Sequence, residues 1–253
     1  MRVILITQND LLYLPKAIRY LIDIFPTHST IIGAIVLPAS PFGTKESFAS
    51  KIWKAYRIFG ASFFLKYSWR YLVAKLFHRD VRDLIKVNQT PIFEFKGNIN
   101  GDEALAKIKS LKPDLLVSIA GNQIFKKRLL DIPVKGVINL HSGLLPKYRG
   151  LMPAFWALKN GEQNIGVSVF FVDEGIDSGP MLVQKQIPIG TMTYNQLIIE
   201  TKRLGMDAII EALDLIESGE YELIPNPDSD KTYFSFPTQR DIREFYACGK
   251  RFY

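Results

Sequence analysis

Short apolar runs punctuate the first 140 residues, beginning with Val3-Ile4-Leu5-Ile6 and returning at 31–37, 91–95, 115–119 and 136–140. Between them, apolar positions recur at helical spacing over 14–25, 46–87 and 101–111, the middle stretch being broken near Gly60 and again near Arg79. Strands alternating with helices predict parallel β-α-β units. The expected fold class is therefore α/β, a Rossmann-like open, mostly parallel twisted sheet with helices on both faces. Beyond residue 160 two strands, 167–172 and 181–188, flank the turn-rich segment 173–180. A long helix is expected over 193–218, with Ile198, Leu204, Ala208, Ile209, Ala212, Leu213 and Ile216 on its apolar side. Residues 1–220 read as the main domain, with 46–87 as a helical insertion. Residues 221–253 form a short C-terminal extension, loop-like until Thr238-Gln239-Arg240-Asp241 offers a capping box for a last helix ended by Gly249.

Open sheets of this kind bind ligands at the carboxyl ends of their strands. The first strand runs into Thr7-Gln8-Asn9-Asp10, which lacks the glycines of a dinucleotide fingerprint, so a nicotinamide cofactor is not expected. The 253 residues include one cysteine, Cys248, which excludes an internal disulfide and a cysteine-built zinc site, and no metal is assigned. The apolar start is too short for a secretory signal, and no run approaches the roughly 18 apolar residues of a membrane span, so the expected location is cytoplasmic. A net charge of +7 suits phosphorylated small molecules, tRNA or an anionic membrane and does not choose among them.

The most informative stretch is Gly136 to Gly150. On a strand, Asn139 and His141 are two apart and share a face, at the end where ligands bind. Gly143 and Pro146 then turn the chain, and Gly150 permits close backbone approach. Asp177, on a glycine-flanked turn between two strands, is placed to return a carboxylate to that site. An amide, an imidazole and a carboxylate form an acyl-transfer set. Asn139 and a protonated His141 would donate to the oxygen of a tetrahedral species, where losing one donor costs about 10²–10³ in rate. Asp177 would hold the imidazole charged and take the proton shed by an attacking amine, directly or through water. Read from pattern alone, the same residues also serve as ordinary turn formers.

The run Asn139-Leu140-His141-Ser142-Gly143-Leu144-Leu145-Pro146-Lys147-Tyr148-Arg149-Gly150, followed by Gly166 to Gly179 with Asp177-Ser178-Gly179 beginning 36 residues after the histidine, resembles the folate-dependent formyltransferase family. The resemblance is dense over 115–188 and weak elsewhere. It implies that 1–220 is a catalytic domain, that Asn139, His141 and Asp177 are the catalytic residues, and that 10-formyltetrahydrofolate is the formyl donor. It further implies a pterin pocket built largely by main chain around 90–99, 118–124 and 172–177, for which Ser118, Gln123, Ile124, Val172, Asp173 and Gly175 are the candidates. Lys147, Tyr148, Arg149 and Gly150 are the candidates on the acceptor side. The chain departs from the family's common pattern in having Ser142-Gly143 after the histidine, and in having Phe170 where some members have a histidine.

The acceptor is narrowed by the same resemblance. The glycine-rich phosphate-binding opening of the purine-pathway members is missing, and the tail is too short for the β-barrel carried by the tRNA enzymes. A small amine, best a nucleotide-linked amino sugar for surface-polysaccharide synthesis, is expected, with methionyl-tRNA or another amine as the alternative. A folate-binding scaffold with a decayed site is the non-enzymatic one. The run 47–79 is a second unusual feature. It has no acidic residue, seven basic ones (Lys51, Lys54, Arg57, Lys66, Arg70, Lys75 and Arg79) and many aromatics. The favoured reading packs its apolar side on the sheet or on a sister subunit in a homodimer, with the basic side solvated. Peripheral contact with an anionic membrane and single-stranded nucleic acid are the alternatives.

Overall fold

The structure, a computed structural model, describes residues 1–39, 48–77, 80–95 and 97–253. The main-chain order is β1 (Arg2–Gln8), α1 (Leu14–Asp23), β2 (Thr30–Leu37), α2 (Phe48–Phe59), α3 (Ala61–Phe77), α4 (Val81–Val87), α5 (Asp102–Ser110), β3 (Leu115–Ile119), α6 (Lys127–Leu130) and β4 (Val137–His141). There follow β5 (Arg149–Gly150), α7 (Pro153–Lys159), β6 (Asn164–Phe171), β7 (Met181–Pro188), α8 (Tyr194–Ser218), β8 (Tyr233–Phe234) and α9 (Gln239–Ala247). Six strands form one sheet in the order β2-β1-β3-β4-β6-β7, in which β6 alone runs against the others. The chain steps from β1 outward to β2 and back to β3 on the other side of β1, so the order reverses at the carboxyl ends of β1 and β3, with β4 next in line.

Central strands covered on both faces lose the polar alternation of a half-exposed strand, which is why β1 reads as a continuous apolar run. Val3 and Leu5 face α1, α4 and α8, whereas Ile4 and Ile6 face α5 and α6. On β4 the same alternation sends Ile138 and Leu140 to the α8 side, leaving Asn139 and His141 for the other. Leu140 packs so closely on α8 that a Cβ added at Gly205 would lie 2.6 Å from its Cδ2. The long helix α8 opens on a reciprocal capping box between Thr193 and Gln196 and closes at Gly219, whose φ of 73° ends it in the left-handed region. The expected box at Thr238 and Asp241 is formed at the start of α9.

Three expectations are corrected. The strand expected at 91–95 is a single parallel bridge, Ala34 to Ile92, at the outer edge of β2, where Pro91 has no N–H to extend a ladder. The extension is not a plain loop before Thr238, because Tyr233–Phe234 pairs in parallel with Arg149–Gly150. The helical insertion does break at Gly60 (φ 82°), and its last helix, α4, packs on the sheet through Val81 and Ile85, but α2 and the start of α3 pack on the extension instead. Phe59 and Phe63 stack with ring centroids 4.5 Å apart and meet Phe252, with Phe155, Trp156, Ile242 and Phe245 completing a second core. The second expected break, near Arg79, lies outside the described residues, as does part of the 90–99 segment.

Candidate active site

β4 delivers Asn139 and His141 between β3 and β6: Asn139 pairs with Ser118 and Phe170, and His141 pairs with Ser168. His141 is 7% exposed. Its Nε2 lies 2.7 Å from the Tyr148 carbonyl oxygen, which can only accept, so Nε2 carries the hydrogen. The other ring nitrogen, Nδ1, faces Asp177 Oδ2 at 3.6 Å. Nε2 is committed to the loop, so any donation to a reacting oxygen falls to a protonated Nδ1 beside that carboxylate. The turn after the histidine needs Gly143 for space, since a Cβ there would sit 2.9 Å from His141 Nε2 and 3.0 Å from Pro153.

The antiparallel course of β6 sets the problem that the second motif solves. Phe171 ends β6 beside Ile138, at the start of β4, so the chain must travel back along the sheet to bring Asp177 to His141. Gly179 permits the close return, since a Cβ there would meet the Phe171 carbonyl oxygen at 1.7 Å. Asp177 adopts φ 50°, a left-handed conformation that few non-glycine residues accept, and it is held from three sides. Its Oδ2 accepts the Gly150 N–H at 2.9 Å, while Asn226 Nδ2 donates to the carbonyls of Asp177 and Gly179, both at 2.9 Å. Tyr148 (φ 59°), Met152 (φ 54°) and Ala120 (φ 57°), close in sequence to these strand ends, share that strained region.

Beneath the 142–146 loop lies a buried polar network that the sequence reading missed. Ser168 Oγ donates to the Gly143 carbonyl at 2.8 Å and accepts from Leu145 N–H and Gln184 Nε2, both at 3.1 Å. A serine between Val167 and Val169 on an apolar strand was the available signal. Asn226 was also missed: it links the Asp177 turn to Arg149, whose guanidinium donates to Asn226 Oδ1 at 3.0 Å and pairs with Asp228 at 2.7 Å. Of the acceptor-side candidates, Arg149 is thus 3% exposed and occupied within the chain. The Tyr148 hydroxyl donates to Glu162 at 2.6 Å, and burial, with that bond, pushes its pKa up to about 12. Gly150 supplies its N–H to Asp177, and Lys147 is exposed beside a cavity of about 120 Å³, smaller than the roughly 300 Å³ at which ligand pockets begin.

The pterin-side candidates divide between two ends of β4. Ser118 is buried directly opposite Asn139; Gln123 accepts the Ile99 N–H at 2.8 Å, and Ile124 is exposed. Val172 donates to the Val137 carbonyl, and Asp173 accepts from the Gly175 N–H and the Ser178 hydroxyl, so both serve the returning turn. On the α8 side of the same strand end, Lys202 Nζ donates to Ser142 Oγ at 3.3 Å. Burial lowers the Lys202 pKa, with Asp10 opposing the shift. Nearby in the fold, Arg70 stacks over the rings of Tyr13 and Tyr253 and donates to Asn195, which also accepts from the Tyr13 hydroxyl.

The fourth strand of an open α/β sheet here carries an amide two residues before an imidazole that faces a returning carboxylate, an arrangement that acyl transfer can use. The model of the formyl transferase family matches residues 72–213, more than half of the chain, and the chain belongs to that family. A methionyl-tRNA formyltransferase of Kosmotoga olearia is 36% identical over 168 residues, covering 66% of this chain and 54% of that protein. The chain spans about half the length of the curated relatives it matches. Among solved structures, an N-formyltransferase from Helicobacter canadensis in complex with folinic acid and dTDP-3-aminofucose aligns at TM-score 0.60. It is 15% identical and covers 98% of this chain and 80% of that one. A phosphoribosylglycinamide formyltransferase from Anaplasma phagocytophilum aligns at TM-score 0.63 with 16% identity, covering 92% and 98%. Both share the Rossmann-like fold.

Proposed function

We propose that this chain is an N-formyltransferase that moves the formyl group of 10-formyltetrahydrofolate to the amine of a nucleotide-linked sugar. The observation that carries the reading is the burial of His141 with Nε2 tied to Tyr148 and Nδ1 turned to Asp177. The acceptor nitrogen attacks the formyl carbon, a new C–N bond forms, and negative charge collects on the formyl oxygen. The Asn139 amide and the protonated Nδ1 of His141 donate to that oxygen. Asp177 faces the imidazole and, through a bridging water, receives the proton that the amine sheds. Breaking the bond to the folate nitrogen completes the transfer, and the shed proton ends on that leaving nitrogen. Ser118, Gln123, Ile124, Val172, Asp173 and Gly175 shape the folate side. On the acceptor side, Tyr148, Arg149 and Gly150 brace the loop and Lys147 stands at its surface.

Two observations support a nucleotide-linked acceptor. The likeness to the Helicobacter enzyme extends over nearly all of this chain, including the extension that carries Asn226. Lys202 beside Ser142 at the carboxyl end of β4 offers a donor suited to a diphosphate oxygen. Sequence identity to the tRNA enzymes favours methionyl-tRNA as a second reading. The test supplies formyl-folate with a panel of nucleotide-linked amino sugars, and separately with charged initiator tRNA, and measures the formylated product by mass. Formylation of a sugar, with a raised KM for it in Lys202→Met and an unchanged folate KM, supports the proposal. Formylation of tRNA alone reassigns the acceptor, and folate binding without turnover on any amine makes the chain a binding scaffold.

A further inference from the structure

Helix α3 presents two opposed stripes. Phe63, Arg70 and Ala74 face the body of the protein, on Phe252, Tyr13 and Tyr253. Leu65, Trp69, Leu72 and Leu76 follow at i, i+4, i+7 and i+11, which at 3.6 residues per turn confines them to roughly a sixth of the helix circumference on the other side. These four are 68%, 67%, 48% and 66% exposed, and Phe77 beyond them is 78% exposed. On α2, Trp53 is also solvent-facing and stacks on Tyr56. Water-facing leucines at this spacing form a continuous apolar ridge, which a chain with nothing to cover it rarely keeps.

Charge decides what covers it. Residues 47–79 contain no aspartate or glutamate, and Lys66 and Lys75 flank the ridge, one on each side at roughly a quarter turn, the Lys66 ammonium also reaching to 6.0 Å from the Tyr253 ring. Trp69 also forms the lip of a groove of about 590 Å³ against α1, bordered by the exposed Lys16 and by Arg19, whose pairing with Asp23 leaves the groove's balance basic. A two-fold contact with a second copy would set lysine against lysine with no carboxylate in the segment to relieve it. A single-stranded nucleic acid would use the phosphate-binding lysines, but three of the four ridge residues are leucines, which have no π-face for a base. An anionic bilayer satisfies both features at once: the ridge enters the acyl boundary, tryptophan sits at headgroup depth, and the lysines meet phosphates. We propose that the outer face of α3, with the exposed Trp53 of α2, docks this enzyme on an anionic phospholipid surface, α3 lying in the plane of the interface. Among the described residues no helix is long and apolar enough to cross a membrane. This assignment is independent of the acceptor proposed above.

The test uses the whole chain with vesicles of phosphatidylcholine alone or mixed with phosphatidylglycerol, followed by co-sedimentation and tryptophan emission. Binding to the mixed vesicles should be at least about tenfold tighter than to the neutral ones, should weaken with added salt, and should shift the emission to the blue. The triple variant Leu65→Ser, Leu72→Ser, Leu76→Ser should lose about tenfold or more in vesicle binding while keeping its unfolding midpoint and catalytic turnover. Lys66→Gln with Lys75→Gln should lose roughly 25-fold, about fivefold for each cation. Equal affinity for neutral vesicles, no binding to either kind, or full binding by the triple variant would overturn the proposal. So would a dimer split by the triple variant, or a single-stranded RNA complex that it abolishes, in the absence of vesicle binding.

Discussion

The carboxyl end of β4 and the outer face of α3 are built on opposite plans. Around His141 the loop and the turn are tied within the chain: Ser168 serves three partners under the loop, Asn226 holds the Asp177 turn, and glycines stand where a methyl group would strike backbone or imidazole. Buried polar groups left unpaired are costly, so this region tolerates few alternatives and its geometry comes entirely from inside the molecule. α3 is fixed along one stripe only, and its other stripe has apolar and basic side chains turned outward. A region that satisfies itself reports what the protein does to a small molecule. A region that does not reports what the protein meets.

The contrast can be broken first by stability. Phe155 is fully buried against Trp156, Phe245 and Phe252, and Phe155→Ala should cost about 3–5 kcal/mol in urea unfolding. Trp69→Ser on the outer face should stay within about 0.5 kcal/mol of the parent. Comparable losses would mean that the outer stripe is part of the core after all. Next, Asn139→Ala should lower kcat by about 10²–10³ with little change in unfolding midpoint, as expected for a group that acts on a developing oxyanion. A drop in stability with kcat per folded molecule preserved would assign the amide a structural role.

Ser168→Ala strands the Gly143 carbonyl and the Leu145 N–H, and should cost about 1–3 kcal/mol. A neutral result in calorimetry would show that the loop does not depend on this network. The smallest effect is one of pH. The carboxylate of Asp228 is held below its ordinary 3.8 by Lys231 and then Arg149, and that of Glu244 below 4.5 by Lys159 and then Arg240. A lowered folded pKa stabilises fully above those ordinary values, and the contribution disappears as pH falls through the lowered ones. Hydrogen exchange should therefore show the extension, read at the Leu151 N–H bonded to Phe234, losing protection on acidification before β1 does. Loss in β1 first would count against these pairs.

Much of this architecture was legible because its causes are local. The apolar runs of β1, β3 and β4 and the periodicity of α8 follow from which faces are covered, and Gly60 and Thr238 mark boundaries by their own conformational chemistry. That Asn139 and His141 share a strand end was readable from their two-residue spacing, and the turn that brings Asp177 to His141 from glycines such as Gly179, which folds against Phe171. The missed parts are long-range. Asn226 sits 47 residues from Gly179, the Tyr233–Phe234 strand is defined only by pairing with Arg149–Gly150, and the committed Nε2 of His141 depends on the path of the Tyr148 carbonyl. The packing of α2 and α3 on the extension was equally hidden, because aromatic composition shows that a face is apolar without showing what it meets.

The central claim is that His141 and Asp177 act as one unit on the reacting group. A double-mutant cycle on kcat, with His141→Ala, Asp177→Asn and the pair together, measures this directly. With the two side chains acting as one unit, the double variant is about as slow as the slower single variant. Losses that multiply would contradict it, since each side chain would then be acting without the other.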